Sequence, residues 1–229
     1  MNSVSLPRLQ ILILAAGFSS RLGRPKALAR VRSVSLLRRT LILAARLAPA
    51  KIIVVLPRRA ARYRIEARGL QVVFATNSRR AEGLSSSVRR GIAQARYSPA
   101  LLLLPLDLAV VRQADLSRLI SHWRAARRCV VARRIARRDG TSLDEVSRER
   151  MSREAVSDEG AAHGGVPLIL PRRLYSRALA VTGDIGLREL VNGLPAKERV
   201  LVDLPSAALD VDTPQDLSAA RLCRRGVSL

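Results

Sequence analysis

The sequence predicts an α/β fold of three layers, with a mostly parallel sheet covered by helices on both faces. Three observations predict it. Runs rich in Leu, Ile and Val alternate with amphipathic stretches of helical period. The apolar runs are nearly continuous, as strands buried on both faces require. The stretches between them are long enough for the helical crossovers that join parallel strands.

Taken in order, Arg8 to Ala15 (RLQILILA) reads as the first strand. Ser33 to Leu47 reads as a helix, with Leu36, Leu37, Leu41, Ala44 and Ala45 on one side. Lys51 to Leu56 (KIIVVL) is the second strand, ended by Pro57. Arg59 to Ala67 reads as helical, Leu70 to Ala75 as the third strand and Leu84 to Arg96 as a helix. Ala100 to Leu106 is the fourth strand and carries an internal proline. Gln113 to Arg127 follows as a helix and Cys129 to Ile135 as a strand.

The rhythm then breaks. Arg137 to His163 is polar and charged, an excursion with room for a short helix at Leu143 to Glu154. Beyond it come a strand at Val166 to Leu170, helices at Arg172 to Val181 and Gly186 to Asn192, and a strand at Arg199 to Val202. Thr213 to Leu222 closes as a helix, with Thr213 as cap, Pro214 at its first position and Asp216 where a capping-box carboxylate belongs. The 229 residues suit one Rossmann-like domain, 1–229, interrupted by the excursion at about 137–163. Sheets of this kind place their sites at the carboxyl ends of the strands. The loops after the first, third and fourth strands are therefore the places to search.

Composition excludes several classes. Cys129 and Cys223 have neither metal nor disulfide spacing, so two reduced thiols and a cytoplasmic location are expected. The apolar stretch Leu9 to Ala16 runs into Gly-Phe-Ser-Ser-Arg and not a cleavage site. No run approaches the roughly 18 apolar residues of a membrane span. The net charge of +23 keeps nucleic acid or an acidic protein open as partners. Yet the basic residues are scattered, all but three are arginine, and aromatics are 3%, which leaves few platforms for base stacking.

The loop after the first strand carries the chemistry. Leu14, Ala15, Ala16 and Gly17 end the strand in small residues that let a ligand approach the backbone. Ser19 and Ser20 add hydroxyls, and Gly23 allows a sharp turn. Successive N–H groups in such a loop form an anion site, and Arg21 and Lys26 add fixed positive charge. Lys26 is one of only three lysines, and a compact ammonium suits phosphate as a point charge. An ordinary strand-to-helix turn is the plain alternative. Asp107 ends the fourth strand, where a carboxylate needs a partner; a divalent cation bridging phosphates, or the following helix start, would serve.

The pattern LAAG-x-S-x-R-L-G-x-x-K resembles the opening motif of the MobA-like nucleotidyltransferases, and most closely the molybdenum cofactor cytidylyltransferase branch. The guanylyl-transferring branch usually has AGG where this chain has Ala15-Ala16-Gly17. The resemblance extends through Asn77, Gly83, Ser87 and Gly91, Asp107, Gly165-x-Pro167-Leu168, Thr182 to Gly186, and Leu209-Asp-Val-Asp-Thr-Pro-Gln-Asp216. It implies a nucleotide-diphospho-sugar transferase type of fold.

It further implies that nucleotide is held by Leu14, Ala15, Ala16, Gly17, Ser19, Ser20, Arg21, Gly23, Lys26, Asn77, Gly83 and Ser87. Arg21, Lys26 and Asp107 are the implied catalytic residues, and Asp107 with Asp210 the implied Mg²⁺ ligands. Gly165, Pro167 and Asp184 fall on the acceptor side. The implied reaction moves CMP from CTP onto a phosphorylated acceptor, molybdenum-bound molybdopterin, and releases pyrophosphate. An apo-molybdoenzyme or its chaperone is the implied protein partner. Asp184 as a helix cap, and Ser85 or Ser86 as the cap of the helix from Leu84, are the plain readings of those positions. Asp212 and Asp216 read as helix-start residues.

The chain departs from the family in places. Ala109 stands where D-x-P would put proline, Ser33 where glycine is usual, and Arg80 where tryptophan is frequent. A sugar or polyol phosphate acceptor, and a basic binding module without catalysis, are the rival readings.

Overall fold

The computed structural model describes residues 6–95, 97–126, 129–135, 163–183, 186–207 and 210–222. The strands are β1 (Leu6–Leu14), β2 (Arg30–Val31), β3 (Val34–Ser35), β4 (Pro49–Pro57), β5 (Val73–Asn77), β6 (Ala100–Leu104), β7 (Val130–Ile135), β8 (His163–Pro171) and β9 (Arg199–Val202). The helices are α1 (Leu36–Arg46), α2 (Ala61–Ile65), α3 (Leu84–Ala95), α4 (Gln113–Ala125), α5 (Tyr175–Ala180), α6 (Gly186–Asn192) and α7 (Pro214–Leu222).

Seven strands form one sheet in the order β5-β4-β1-β6-β8-β7-β9, and β2 pairs with β3 in a separate hairpin. The β5-β4-β1-β6 and β7-β9 contacts are parallel, whereas β8 runs against both neighbours. From β1 the chain crosses to β4 and β5 on one side, then returns to β6 on the other. The carboxyl ends of β1 and β6 therefore flank a topological switch point, where open sheets of this kind bind ligands.

Alternation along β1 divides the core. Leu9, Ile11 and Ile13 face α1 and α4, while Leu12 faces α3. A Cβ on Gly91 of α3 would collide with both Leu12 methyls, so glycine lets that helix lie close on β1. A third, small cluster joins Leu22, Val31, Leu36, Ala109, Val211 and Leu217. It ties the loop after β1 to the segments after β6 and before α7.

Several boundaries moved, each for a local reason. Val34 and Ser35 pair with Arg30 and Val31, so the helix expected from Ser33 starts at Leu36, with Ser35 Oγ accepting the Arg38 N–H at 3.0 Å. The third strand is Val73–Asn77 and not Leu70 to Ala75, because Gly69 turns the chain with φ +76 and pairing to β4 begins at Val73. The fourth strand ends at Leu104, ahead of Pro105, which lacks the N–H a ladder uses. The helix expected from Arg172 opens as a 3-10 turn, Arg172–Leu174. Asp184, most of the excursion with its expected helix, and Cys223 lie outside the described residues.

Candidate active site

The loop after β1 is held by its own hydrogen bonds. Ala15 N–H still reaches Val55 O at 2.9 Å, which keeps the chain in line with the sheet one residue past the strand. Ala16 is buried in the core beneath it. Ser19 takes a left-handed conformation, φ 56, and its Oγ accepts the Lys26 N–H at 2.9 Å. A 3-10 turn, Ser20–Leu22, ends at Gly23 with φ 68, whose N–H returns to Ser20 O. Gly17 has no left-handed φ, and an added Cβ there would meet nothing within 4 Å. Neither backbone nor packing calls for glycine at that position. Its open side belongs to the cavity.

The cavity, of about 490 Å³, lies at the switch point and is lined by this loop, Pro105 to Asp107, Arg133, Gly165, Arg188, Asp210 and Asp212 among others. Lys26 Nζ stands 2.6 Å from Asp212 Oδ1 and 3.8 Å from Asp107 Oδ2. Arg21 reaches the other Asp212 oxygen at 3.0 Å, and Arg133 reaches Asp210 at 3.3 Å. The two acidic segments are neighbours because Val211 N–H donates to Asp107 O at 2.9 Å. Ala109 N–H donates to the same oxygen at 2.9 Å, a bond proline could not make, so the D-x-P departure is absorbed by a tight turn.

Burial raises the Asp107 carboxyl above its ordinary value; Lys26 opposes the shift, and Asp210 and Asp212 add to it. Three aspartates thus converge in a half-dry site, each faced by a cation. Among the described residues no group of three or more metal-ligating side chains is assembled. Magnesium is commonly bound through one or two carboxylates, with phosphates and water completing its shell. The carboxylates of Asp107 and Asp210, faced by Lys26 at 3.8 Å and by Arg133 at 3.3 Å, are oxygen donors of the kind such an ion takes.

Of the residues read from sequence, Leu14, Ala15, Gly17, Ser19, Ser20, Arg21, Lys26, Asp107, Asp210 and Gly165 line this cavity. Ala16, Gly23, Asn77, Gly83, Ser87 and Pro167 lie outside its lining. Asn77 is buried and donates to Ser86 and Ser87 Oγ at 2.8 and 2.9 Å, holding the first turn of α3. Ser85 and Ser86 lie inside α3, which begins at Leu84, and not at its cap position; Ser86 Oγ donates to Gly83 O at 2.7 Å. Gly165 is close to the site, but a Cβ there would strike Ile135, which gives it a packing role as well. Pro167 follows a cis peptide within β8.

From its sequence context Asp212 reads as a helix-start residue. Asp216 does cap α7: its Oδ2 accepts the Asp212 and Thr213 N–H groups at 3.0 and 2.8 Å, and Thr213 Oγ1 accepts its N–H at 3.2 Å. Asp212 instead faces the cavity. The signal was available: Asp-Val-Asp in extended chain puts both carboxylates on one side, with fully buried Val211 on the other. Arg133 and Arg188 carried no comparable signal among so many arginines.

The sequence matches the MobA-like NTP transferase domain over residues 11–200. The chain belongs to the MobA-like NTP transferase family. A nucleoside triphosphate and a phosphorylated acceptor are the substrate classes such a domain implies. Among solved structures this MobA-like chain is similar to Rv0371c of Mycobacterium tuberculosis H37Rv (24% identity, 93% of this chain, 98% of that one, TM-score 0.65). It is also similar to a nucleotidyl transferase of Methanothermobacter thermautotrophicus (19%, 93%, 96%, TM-score 0.69). A third is 2-C-methyl-D-erythritol 4-phosphate cytidylyltransferase of Thermus thermophilus (21%, 93%, 97%, TM-score 0.61). These likenesses show the fold. No curated protein matches the sequence. Among the described residues no helix is long and apolar enough to cross a membrane.

Proposed function

We propose that this MobA-like transferase moves CMP from CTP to the phosphate of molybdenum-bound molybdopterin, in the cavity between the loop after β1 and Asp107. The observation that carries the site is the meeting of Lys26 and Asp107, 3.8 Å apart, from segments distant in sequence. The choice of cytidine rests on Ala15-Ala16-Gly17, where the guanylyl branch carries AGG. The acceptor rests on the resemblance of the opening motif.

In this reading an acceptor phosphate oxygen attacks the α-phosphorus, the bond from that phosphorus to the bridging oxygen breaks, and pyrophosphate leaves. The acceptor is already anionic, so no general base is needed. Positioning and charge neutralisation supply the catalysis. Lys26 and Arg21 exchange Asp212 for phosphate oxygens, and the N–H groups of Gly17 to Ser20 face the chain of phosphates. A magnesium ion on Asp107 and Asp210 would neutralise charge on the phosphates. A divalent ion is also present in a solved structure of Rv0371c, which holds manganese.

The second reading changes only the acceptor, to a polyol phosphate. The Thermus thermophilus neighbour is a cytidylyltransferase named for 2-C-methyl-D-erythritol 4-phosphate. Pyrophosphate release with Mg²⁺ separates the two: CTP with molybdenum-bound molybdopterin is the productive pair in the first reading. Turnover with methylerythritol phosphate alone supports the second. Turnover with GTP and not CTP overturns the assignment of the nucleotide.

A further inference from the structure

A second concavity opens beside the cavity, over the carboxyl ends of β4 and β5. It encloses about 1260 Å³, and Tyr63 lines both. Five of its thirteen lining residues are arginine, against 38 of 229 in the whole chain, so the groove is enriched beyond the general excess. Arg58 and Arg59 follow β4, Arg62 and Arg64 stand on α2, and Arg80 comes from the turn after β5. Among the described residues no carboxylate pairs with any of the five. Elsewhere the acids are used: Glu66 holds Arg30, and Glu82 holds Arg89. Two of the guanidiniums are pinned over rings, Arg64 over Phe74 at 4.5 Å and Arg80 over Phe18 at 4.1 Å. Pinned in this way they keep their charge and lose little freedom when an oxyanion arrives. Burial raises the Tyr63 hydroxyl above its ordinary value, and the charges of Arg80 and Arg62 oppose that shift.

The floor decides the kind of ligand. Pro25, Leu28, Pro57, Ala60 and Ala61 make it apolar, and the one ring that lines it, Tyr63, is 7% exposed. Inside the groove bases meet no open ring face, and the exposed ring beside it, Phe18, has one face covered by Arg80. The volume exceeds the upper end, about 1000 Å³, of ordinary small-ligand pockets. A segment carrying carboxylates at intervals, with small apolar side chains between them, matches both rim and floor. We infer that this arginine-rimmed groove docks an acidic, extended segment of a partner protein against the mouth of the cavity. The inference is independent of the transferase reading.

The test is fluorescence anisotropy with a labelled peptide of about twelve alternating Glu and Ala residues, which extends to roughly 40 Å at most. Three proteins are compared: wild type, the variant Arg58→Glu/Arg59→Glu/Arg62→Glu, and a control, Arg112→Glu/Arg118→Glu/Arg124→Glu, with the same charge change on and beside α4. All six side chains are exposed, and circular dichroism checks that each variant folds. The groove variant is expected to bind at least about tenfold more weakly, with the control close to wild type and binding falling as salt rises. The inference is overturned if wild type does not bind the peptide, or if the groove variant binds as well as wild type. It is equally overturned if the control weakens as much, or if a thymidine oligonucleotide of equal length binds more tightly with the same sensitivity to the groove variant.

Discussion

At the scale of single residues, the site is a set of charges that neutralise one another. Lys26 and Arg21 both hold Asp212, so this carboxylate stands where a polyphosphate would compete. A charge-assisted hydrogen bond of this kind is worth roughly 1.5–3 kcal/mol. Asp212→Asn should therefore tighten metal-free binding of inorganic tripolyphosphate by about tenfold or more, equivalent to ~1.4 kcal/mol. Isothermal titration reads this, and an unchanged affinity would mean that Asp212 does not guard the cations. Lys26→Ala and Asp107→Ala should each lower transfer by at least ~10²-fold, as removal of one preorganised charge partner does elsewhere. Their melting temperatures should stay close to wild type, because both groups face the cavity. Full activity in both variants would move the chemistry to another place. That Lys26, Arg21 and Asp107 meet at one cavity was legible because residue type and loop position agreed. Asp212 was not, because a helix start explained it well enough; only the two-residue alternation around Val211 distinguishes it.

At the scale of elements, glycines and capping groups set how closely the parts of the site approach. Adding a methyl at Gly91 improves helix propensity by about 1 kcal/mol. It also forces Leu12, which is fully buried, out of place, and such overpacking costs ~1–3 kcal/mol. Gly91→Ala should then lower the urea midpoint, whereas an unchanged midpoint would show that α3 has room to shift. The β2–β3 hairpin turns through Arg32 and Ser33, both left-handed, with φ 50 and 68. Left-handed backbone costs a non-glycine residue about 1–2 kcal/mol, and glycine gives back ~0.5–1 of that in chain entropy. Ser33→Gly is expected to stabilise by a few tenths of a kcal/mol or more. This accounts for the usual glycine at a position where the sequence alone offered only a mismatch.

The α7 cap titrates. Hydrogen bonds from Thr213 and Asp212 hold the Asp216 carboxyl below its ordinary 3.8. A depressed acid stabilises the fold above its unfolded value and stops doing so as pH falls through the folded one. Asp216→Asn should thus be less stable than wild type at neutral pH, with the difference closing in acid. A difference independent of pH would point to packing and not to the charge. Most element types were readable from period and length. The strand at Val73 was misplaced because Leu70 and Val72 look like strand residues yet pack on the core from the irregular segment ahead of the strand.

At the scale of the whole molecule, the order of strands puts a cavity at a switch point beside an arginine groove, in a chain of net charge +23. Such a field speeds encounter with anions and is screened over about 10 Å at ~0.1 M salt. Stopped-flow association of a fluorescent triphosphate should slow as salt rises, with its dissociation rate less affected. Equal salt dependence of both rates would show that the field does not steer. The parallel sheet could be read from buried strands and long crossovers. The reversed β8 could not, since pairing sense is not written in a strand's own residues. It emerges when the chain returns from residues 136–162 to lie between β6 and β7.

The most direct measurement is a crystal structure with Mg²⁺ and a CTP analogue that cannot be cleaved between its α- and β-phosphates. Phosphate oxygens are expected within hydrogen-bond reach of Lys26 Nζ and of the N–H groups between Gly17 and Ser20. The metal is expected on Asp107, with Asp212 released from Lys26 and Arg21. A triphosphate seated anywhere else, with the Lys26–Asp212 pair still closed, would contradict this placement.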